Sequence, residues 1–340
     1  MTVPELFVAF ACDTEDNHPN YVPGWTKYGS NYDLNPGILN WSWTQYWHDL
    51  SECFVKKHAP VTWLIRVDDG PVHDKMLTLF KGEIFKLRSL GDEIGIHIHT
   101  WSWNGTLSKW VQTTNSMDEV KIVLDSLDMF KRHLGFAPMS TRMGWTTMSN
   151  EIMRALDSNG IIADASANPR LISTGKFSNR DNIFDWSRTP TSPYHPNIND
   201  YQTSGNMKIL EMPISSLASR KSNVLGKWVS KLSGETYLLK FVNVAKLLHF
   251  SPHYSFYITP WWSSSVYFKI IKEYGNTALK QGTTFLIGTF HSSDILNSKT
   301  GTKNLAFEKC IVDILEAISS LNGVNVTFMT LSKMARAFQF

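Results

Sequence analysis

Four groups of side chains in this sequence have the types and spacing that chemistry requires. The first is Asp13-Thr14-Glu15-Asp16, three carboxylates crowded directly after an apolar run from Phe7 to Cys12. Carboxylates this close repel one another unless a cation or an arginine compensates them. The group therefore reads either as a solvated loop with a helix cap or as the lining of a site. The second is Gly91-Asp-Glu-Ile-Gly-Ile-His97-Ile-His99-Thr-Trp101. In an extended strand residues i and i+2 share a face, so His97 and His99 project side by side. Two neutral imidazoles with one carboxylate suit Zn²⁺ and leave a position open for water. Structural histidines are the competing reading.

The third group, Thr141-Arg142-Met-Gly-Trp145, precedes a stretch of helical period and then Gly160-Ile-Ile-Ala-Asp164-Ala-Ser166. An arginine at a strand end can orient a carboxylate through bidentate bonds, or it can form an ordinary surface ion pair. In the fourth, Gly288-Thr-Phe-His291-Ser-Ser-Asp294, another apolar run ends in a histidine. That residue is either a titrating group or a satisfied structural one.

Positioning these groups together takes a particular framework. Short apolar runs alternate with segments of helical period, the pattern of βα units around a parallel sheet. The spacing predicts eight strands: Phe7–Cys12, Val61–Val67, Glu93–His99, Pro138–Arg142, Ile161–Ser166, Lys208–Ile214, Thr284–His291 and Val324–Leu331. Helices are expected over Thr44–His58, Asp74–Leu90, Ser116–Leu134, Ser149–Asn159, Ser263–Gln281 and Asn304–Leu321. Ser116 and Glu119 form an S-x-x-E capping box, and Gly91, Gly135 and Gly160 provide stops. Two long excursions interrupt the alternation, Asn17–Trp43 and Asn168–Tyr257, the second with one strand and a short helix near Phe241–Phe250; loops of this length are usually functional. The expected organisation is one β/α barrel domain over residues 1–340, with its reactive groups at the carboxyl ends of the strands.

The 340 residues carry a net charge of 33 − 30 = +3 without a block of like charges, which argues against a nucleic-acid partner. Cys12, Cys53 and Cys310 are odd in number and lack CxxC spacing, so neither a disulfide framework nor a thiolate metal site is expected. The first apolar run lacks a basic flank and contains Glu5, reading as a strand rather than a signal peptide. No window approaches 18 apolar residues, so no transmembrane segment is expected. These features point to a cytoplasmic protein. Thirteen tryptophans offer faces for sugar stacking, with Trp25, Trp101 and Trp145 as candidate substrate contacts; Trp41, Trp43 and Trp47 read equally well as core.

The succession of early carboxylates, G-D-E-I-G-I-H, an arginine–aromatic segment, G-I-I-A-D-A-S and a late T-F-H resembles the polysaccharide deacetylase family, the NodB-homology carbohydrate esterases of family four. The likeness runs over about residues 6 to 166 and 284 to 331, and the G-x-E-I-G-x-H element is its most specific piece. It implies a distorted (β/α) barrel that binds one divalent metal, most simply Zn²⁺ with Ni²⁺ or Co²⁺ as alternatives, and hydrolyses an N-acyl group on a saccharide. Carried over residue by residue, it makes His97, His99 and Asp16 the metal ligands, with Glu15 as the alternative carboxylate. Asp13 becomes the base, oriented by Arg142, and His291 the acid, steadied by Asp164. The sequence departs from the family where the second histidine is usually found four residues after the first: Trp101 stands there, so His99 must substitute. Asp13 and Asp16 are separated by two residues, resembling a D-x-E-D subgroup, and Met143 and Gly144 replace the usual prolines. The resemblance further implies surface-polysaccharide or glycan biosynthesis, with a nucleotide- or lipid-linked substrate. A barrel that has lost metal binding and serves as a carbohydrate-binding or scaffold protein is the alternative. An amidohydrolase-type barrel fits less well, because there the H-x-H pair belongs on the first strand.

Overall fold

The computed structural model describes residues 3–15, 42–68, 74–104, 106, 109–113, 115–174, 183–218, 253–259, 264–295 and 302–338. Asp16, Trp25, nearly all of the Asn17–Trp43 excursion and the expected helix at Phe241–Phe250 lie outside these residues.

All eight expected strands form, as one curled sheet: β1 (Glu5–Thr14), β2 (Val61–Arg66), β3 (Glu93–Ile98), β4 (Ser140–Met143), β5 (Ala163–Asp164), β6 (Leu210–Glu211), β7 (Thr283–His291) and β8 (Asn325–Phe328). Their order is β6-β5-β4-β3-β2-β1-β7, with β8 beside the first half of β1, and every pairing is parallel. Strands covered on both faces are nearly continuous apolar runs, as in β2, where all of Val61–Arg66 is buried. Between β6 and β7 the ring is completed by irregular backbone. Ser215 N–H donates to the Ile287 carbonyl at 3.0 Å, and Phe256 N–H to the Ser215 carbonyl at 2.6 Å. The architecture is a distorted (β/α) barrel.

Side-chain alternation along β1 sorts the core into two sets. Leu6, Val8, Phe10 and Cys12 face the helical layer, among them α1 (Ser42–Val55) through Phe54. Ala9 and Ala11 face inward with Leu64 and Ile287, where the narrow interior favours small side chains. A Cβ on Gly95 would lie 2.6 Å from the Ser140 carbonyl oxygen and 2.7 Å from Leu64 Cδ2, so β3 needs glycine at that inward position. Continuing the same alternation toward the carboxyl ends brings Asp13 after Ala11, Arg66 after Leu64 and His97 after Gly95. Pairing carries the set round the sheet, since Asp13 is in register with His291, and His97 with both Arg66 and Arg142. Parity and register together collect the reactive residues.

The expected Asp74–Leu90 helix is interrupted at Phe80 into α2 (Lys75–Leu79) and α3 (Lys81–Ser89). In α4 (Ser116–Leu134) the cap is Asn115, whose side chain accepts from Met117 N–H at 3.0 Å and Asp118 N–H at 3.4 Å. The Ser116–Glu119 capping box therefore does not form: Ser116 is already helical, and Glu119 accepts from the Ser149 hydroxyl at 2.9 Å. That hydroxyl also caps α5 (Asn150–Ser158) by accepting from Ile152 N–H. Gly135 ends α4 in the left-handed conformation at φ 78°. Two further helices, α6 (Ser264–Gln281) and α7 (Leu305–Ser319), lie within a residue or two of expectation, and α8 (Leu331–Ala337) adds Leu331, Met334 and Ala335 to the inner core. Besides β6, the single strand expected there, the described parts of the second excursion hold antiparallel pairs, Ile172–Thr174 with Ile183–Asp185, Pro196–Asn197 with Asp200–Ser204, and Ser216–Ala218 with His253–Ser255. Trp47 and Trp186 are fully buried, as core. Among the described residues, no helix is long and apolar enough to cross a membrane.

Candidate metal centre and acid–base cluster

Glu15 follows β1 directly, and His97 and His99 end β3; one ligand atom from each of the three lies within 4.8 Å of the others. His97 Nε2 is 3.1 Å from His99 Nε2, and His99 Nε2 is 3.1 Å from Glu15 Oε2. His97 Nδ1 stands 2.7 Å from the Arg142 carbonyl oxygen. A carbonyl only accepts, so Nδ1 carries the hydrogen and Nε2 presents its lone pair. A hydrogen bond of this kind fixes the ring of a metal-binding imidazole.

Burial decides the charges. It pushes the His97 pKa down to about 3 despite nearby Glu15, and lowers that of His99. Burial alone would raise Glu15, but the hydrogen bond from His99, the nearness of the two imidazoles and the charge of Arg66 outweigh it, leaving the carboxyl well below the usual range. The trio is thus two neutral imidazoles and one carboxylate, the protonation states a divalent cation needs. Two neutral imidazole nitrogens converging on one carboxylate oxygen in a buried space fit such an ion, and the donor types match a His₂Glu zinc set.

The acid–base residues lie beside this trio. Arg142 Nη1 is in direct contact with Asp13 Oδ2. His291 Nε2 is 3.1 Å from Asp13 Oδ2 and 3.5 Å from Glu15 Oε1, and His97 Nδ1 is 3.8 Å from Asp13 Oδ1. Asp13 is fully buried, whereas the His291 side chain is 30% exposed and so forms the open side of the group. Trp101 stacks on His99 with centroids 5.9 Å apart, and Trp145 meets both rings edge-on. Trp145 adopts φ 54°, in the turn that begins at Gly144. A Cβ on Gly144 would fall 2.3 Å from the His99 ring, which explains a glycine in that turn.

Asp164 takes a different place from the one expected. Its Oδ1 accepts from the Ser166 hydroxyl at 2.7 Å, and its side chain is hydrogen-bonded to Glu211, its register partner on β6. Burial raises both pKa values; the charge of Asp164 raises that of Glu211 further, while the hydrogen bond from Glu211 lowers that of Asp164, as in carboxyl pairs that share a proton. The partner of His291 Nδ1 is instead the hydroxyl of Tyr257, 2.5 Å away. Sequence reasoning also missed Arg66, whose Nη1 is 3.3 Å from Glu15 Oε2 while its Nε donates to Asp68 at 2.8 Å. A single arginine or acid closing an apolar strand, as at Arg66 and Glu211, was the available signal.

No family model matches the sequence, and no curated protein matches it. Solved structures do match. A protein from Parabacteroides distasonis assigned as a glycoside hydrolase/deacetylase superposes with TM-score 0.57 at 11% identity, covering 99% of this chain and 72% of that one. A protein from Mycobacterium smegmatis assigned as a polysaccharide deacetylase superposes with TM-score 0.50 at 14% identity, covering 99% and 91%. The chain has the polysaccharide deacetylase fold.

Proposed function

We propose that this protein is a metal-dependent carbohydrate deacetylase, a hydrolase of amide C–N bonds that removes an N-acetyl or other N-acyl group from a saccharide. The carrying observation is the convergence of two neutral imidazoles and Glu15 next to an Arg142–Asp13–His291 group at one end of the barrel. The fold supports the same reading. His97, His99 and Glu15 are the ligands we assign, with Asp16 adjacent in sequence as a further carboxylate. A divalent cation held there, Zn²⁺ first and Ni²⁺ or Co²⁺ next, would polarise the acyl carbonyl and acidify a water.

The remaining steps belong to the chain. Arg142 keeps the buried Asp13 ionised and aimed, because a guanidinium contact favours the charged form of a carboxylate. Asp13 then takes the proton of the attacking water. Cleavage of the C–N bond leaves the sugar amine in need of a proton, and the partly exposed His291 is placed to supply it from Nε2. Trp145, half-buried beside His99 and packed on the buried Trp101, offers an aromatic face for the sugar ring.

We take the substrate to be an N-acylated saccharide of surface-polysaccharide or glycan biosynthesis, nucleotide- or lipid-linked and met in the cytoplasm. Three free cysteines accord with a reducing compartment; fractionation that finds the protein exported would contradict the setting alone. The reaction is tested with Asp13→Asn and His291→Ala. Each should lose at least about a hundredfold in turnover on an N-acetyl saccharide while retaining the metal, since neither is assigned as a ligand. Near wild-type rates in both would sink the mechanism, and metal loss in Asp13→Asn would make that residue a ligand.

A further inference from the structure

His291 is the one member of the acid–base group with an open side, so something must hold its ring if Nε2 is to keep facing inward. Tyr257 does this. Its hydroxyl is 2.5 Å from Nδ1, and the two rings meet edge-on with centroids 5.5 Å apart. The tyrosine is itself tied to the strand that carries His291. Tyr257 forms a parallel bridge with Thr289, flanked by bonds from Thr289 N–H to the Phe256 carbonyl at 3.0 Å and from Ile258 N–H to the Thr289 carbonyl at 2.7 Å. The Tyr267 hydroxyl donates to the Tyr257 carbonyl at 3.2 Å. Tyr257 and His291 are therefore anchored to the same strand, β7.

The partners on the two sides of the ring differ in kind. Nε2 faces two carboxylate oxygens, Asp13 Oδ2 and Glu15 Oε1, which only accept, so the hydrogen of the neutral ring sits on Nε2 and the phenol donates to Nδ1. A carboxylate at this place, the role expected of Asp164, could only accept and could not pair with the Nδ1 lone pair, whereas a hydroxyl can donate to it. We propose that Tyr257 is the positioning residue of His291, holding its ring in the orientation that turns Nε2 toward Asp13 and Glu15; the catalytic consequence rests on the deacylation reading above.

Two measurements test this. Nitrogen NMR of histidine-labelled protein should find one sharp set of His291 ring resonances in the wild type, and broadened or multiple sets from a reorienting ring in Tyr257→Phe. A single unchanged set in Tyr257→Phe overturns the proposal whatever the activity. The kinetic test compares an N-acetyl saccharide, whose amine must be protonated to leave, with 4-nitrophenyl acetate, whose phenolate leaves unaided. Tyr257→Phe should lower kcat on the amide about tenfold with KM unchanged, lower it less than about twofold on the ester, and add nothing once His291 is alanine. Equal losses on both substrates, or additive losses in the double variant, overturn the positioning role. If His291→Ala itself leaves amide hydrolysis intact, the deacylation reading fails instead, and the ring-resonance measurement still decides whether Tyr257 holds the His291 ring.

Discussion

Asp294 shows how a residue beside the reactive group can be read without invoking catalysis. It lies in the short turn after β7, where its Oδ2 is buried with no hydrogen-bond partner among the described residues. Burial pushes its pKa up to about 7. In the unfolded chain the group ionises near pH 4, so between about pH 4 and 7 the folded state holds the proton more tightly, and stability falls as pH rises through that window. Asp294→Asn should therefore match the wild type at pH 4 and exceed it by on the order of 2 kcal/mol at pH 8. Denaturant unfolding at the two pH values measures this, and an Asn variant less stable at pH 8 would mean that the ionised carboxylate has a stabilising partner. At the same scale, the sequence made His97, His99, Asp13, Arg142 and His291 legible because strand parity and strand-end position need no distances. Tyr257 and Glu211 were not legible as partners. Their roles depend on which loop or short strand returns to which neighbour, and this is a tertiary fact that local pattern does not carry.

Elements were read well where a local rule was sufficient. The eight strands and six long helical segments follow from period and from Gly stops, since burial on both faces forces apolar runs and a left-handed end requires glycine. Caps were read less well, because Asn115 and Ser116 are both good cap residues and only the actual first turn chooses between them. Asn115→Ala should cost about 1 kcal/mol, whereas Ser116→Ala should stay within about 0.5 kcal/mol. Thermal or urea unfolding of the two variants checks the assignment, and the reverse order would restore the capping box. The turn after β4 gives a second test. Gly144→Ala must push the His99 ring aside or distort the turn, so zinc affinity by calorimetry should fall at least about tenfold, as is usual when the support of a ligand is disturbed. Unchanged affinity would show that His99 does not need its present orientation.

For the molecule as a whole, the parallel sheet curls so that side chains from β1, β2, β3, β4 and β7 meet at one end, while α8 adds to the inner core. Small inward residues such as Ala9, Ala11 and Gly95 let the strands approach closely, and the polar side chains come next after them toward the carboxyl end of each strand. Where the family resemblance would place a second histidine the chain has Trp101, and His99, two residues beyond His97, instead lies beside His97 and Glu15. The central claim is that this altered ligand set still supports deacylation. It is tested most directly by measuring acetate released from N-acetylated saccharides by the wild-type protein as purified, after chelation, and after Zn²⁺ is restored. Chelation should abolish the release and zinc should return it; release indifferent to the chelator, or none from any N-acetylated saccharide with any divalent metal added, would contradict the claim.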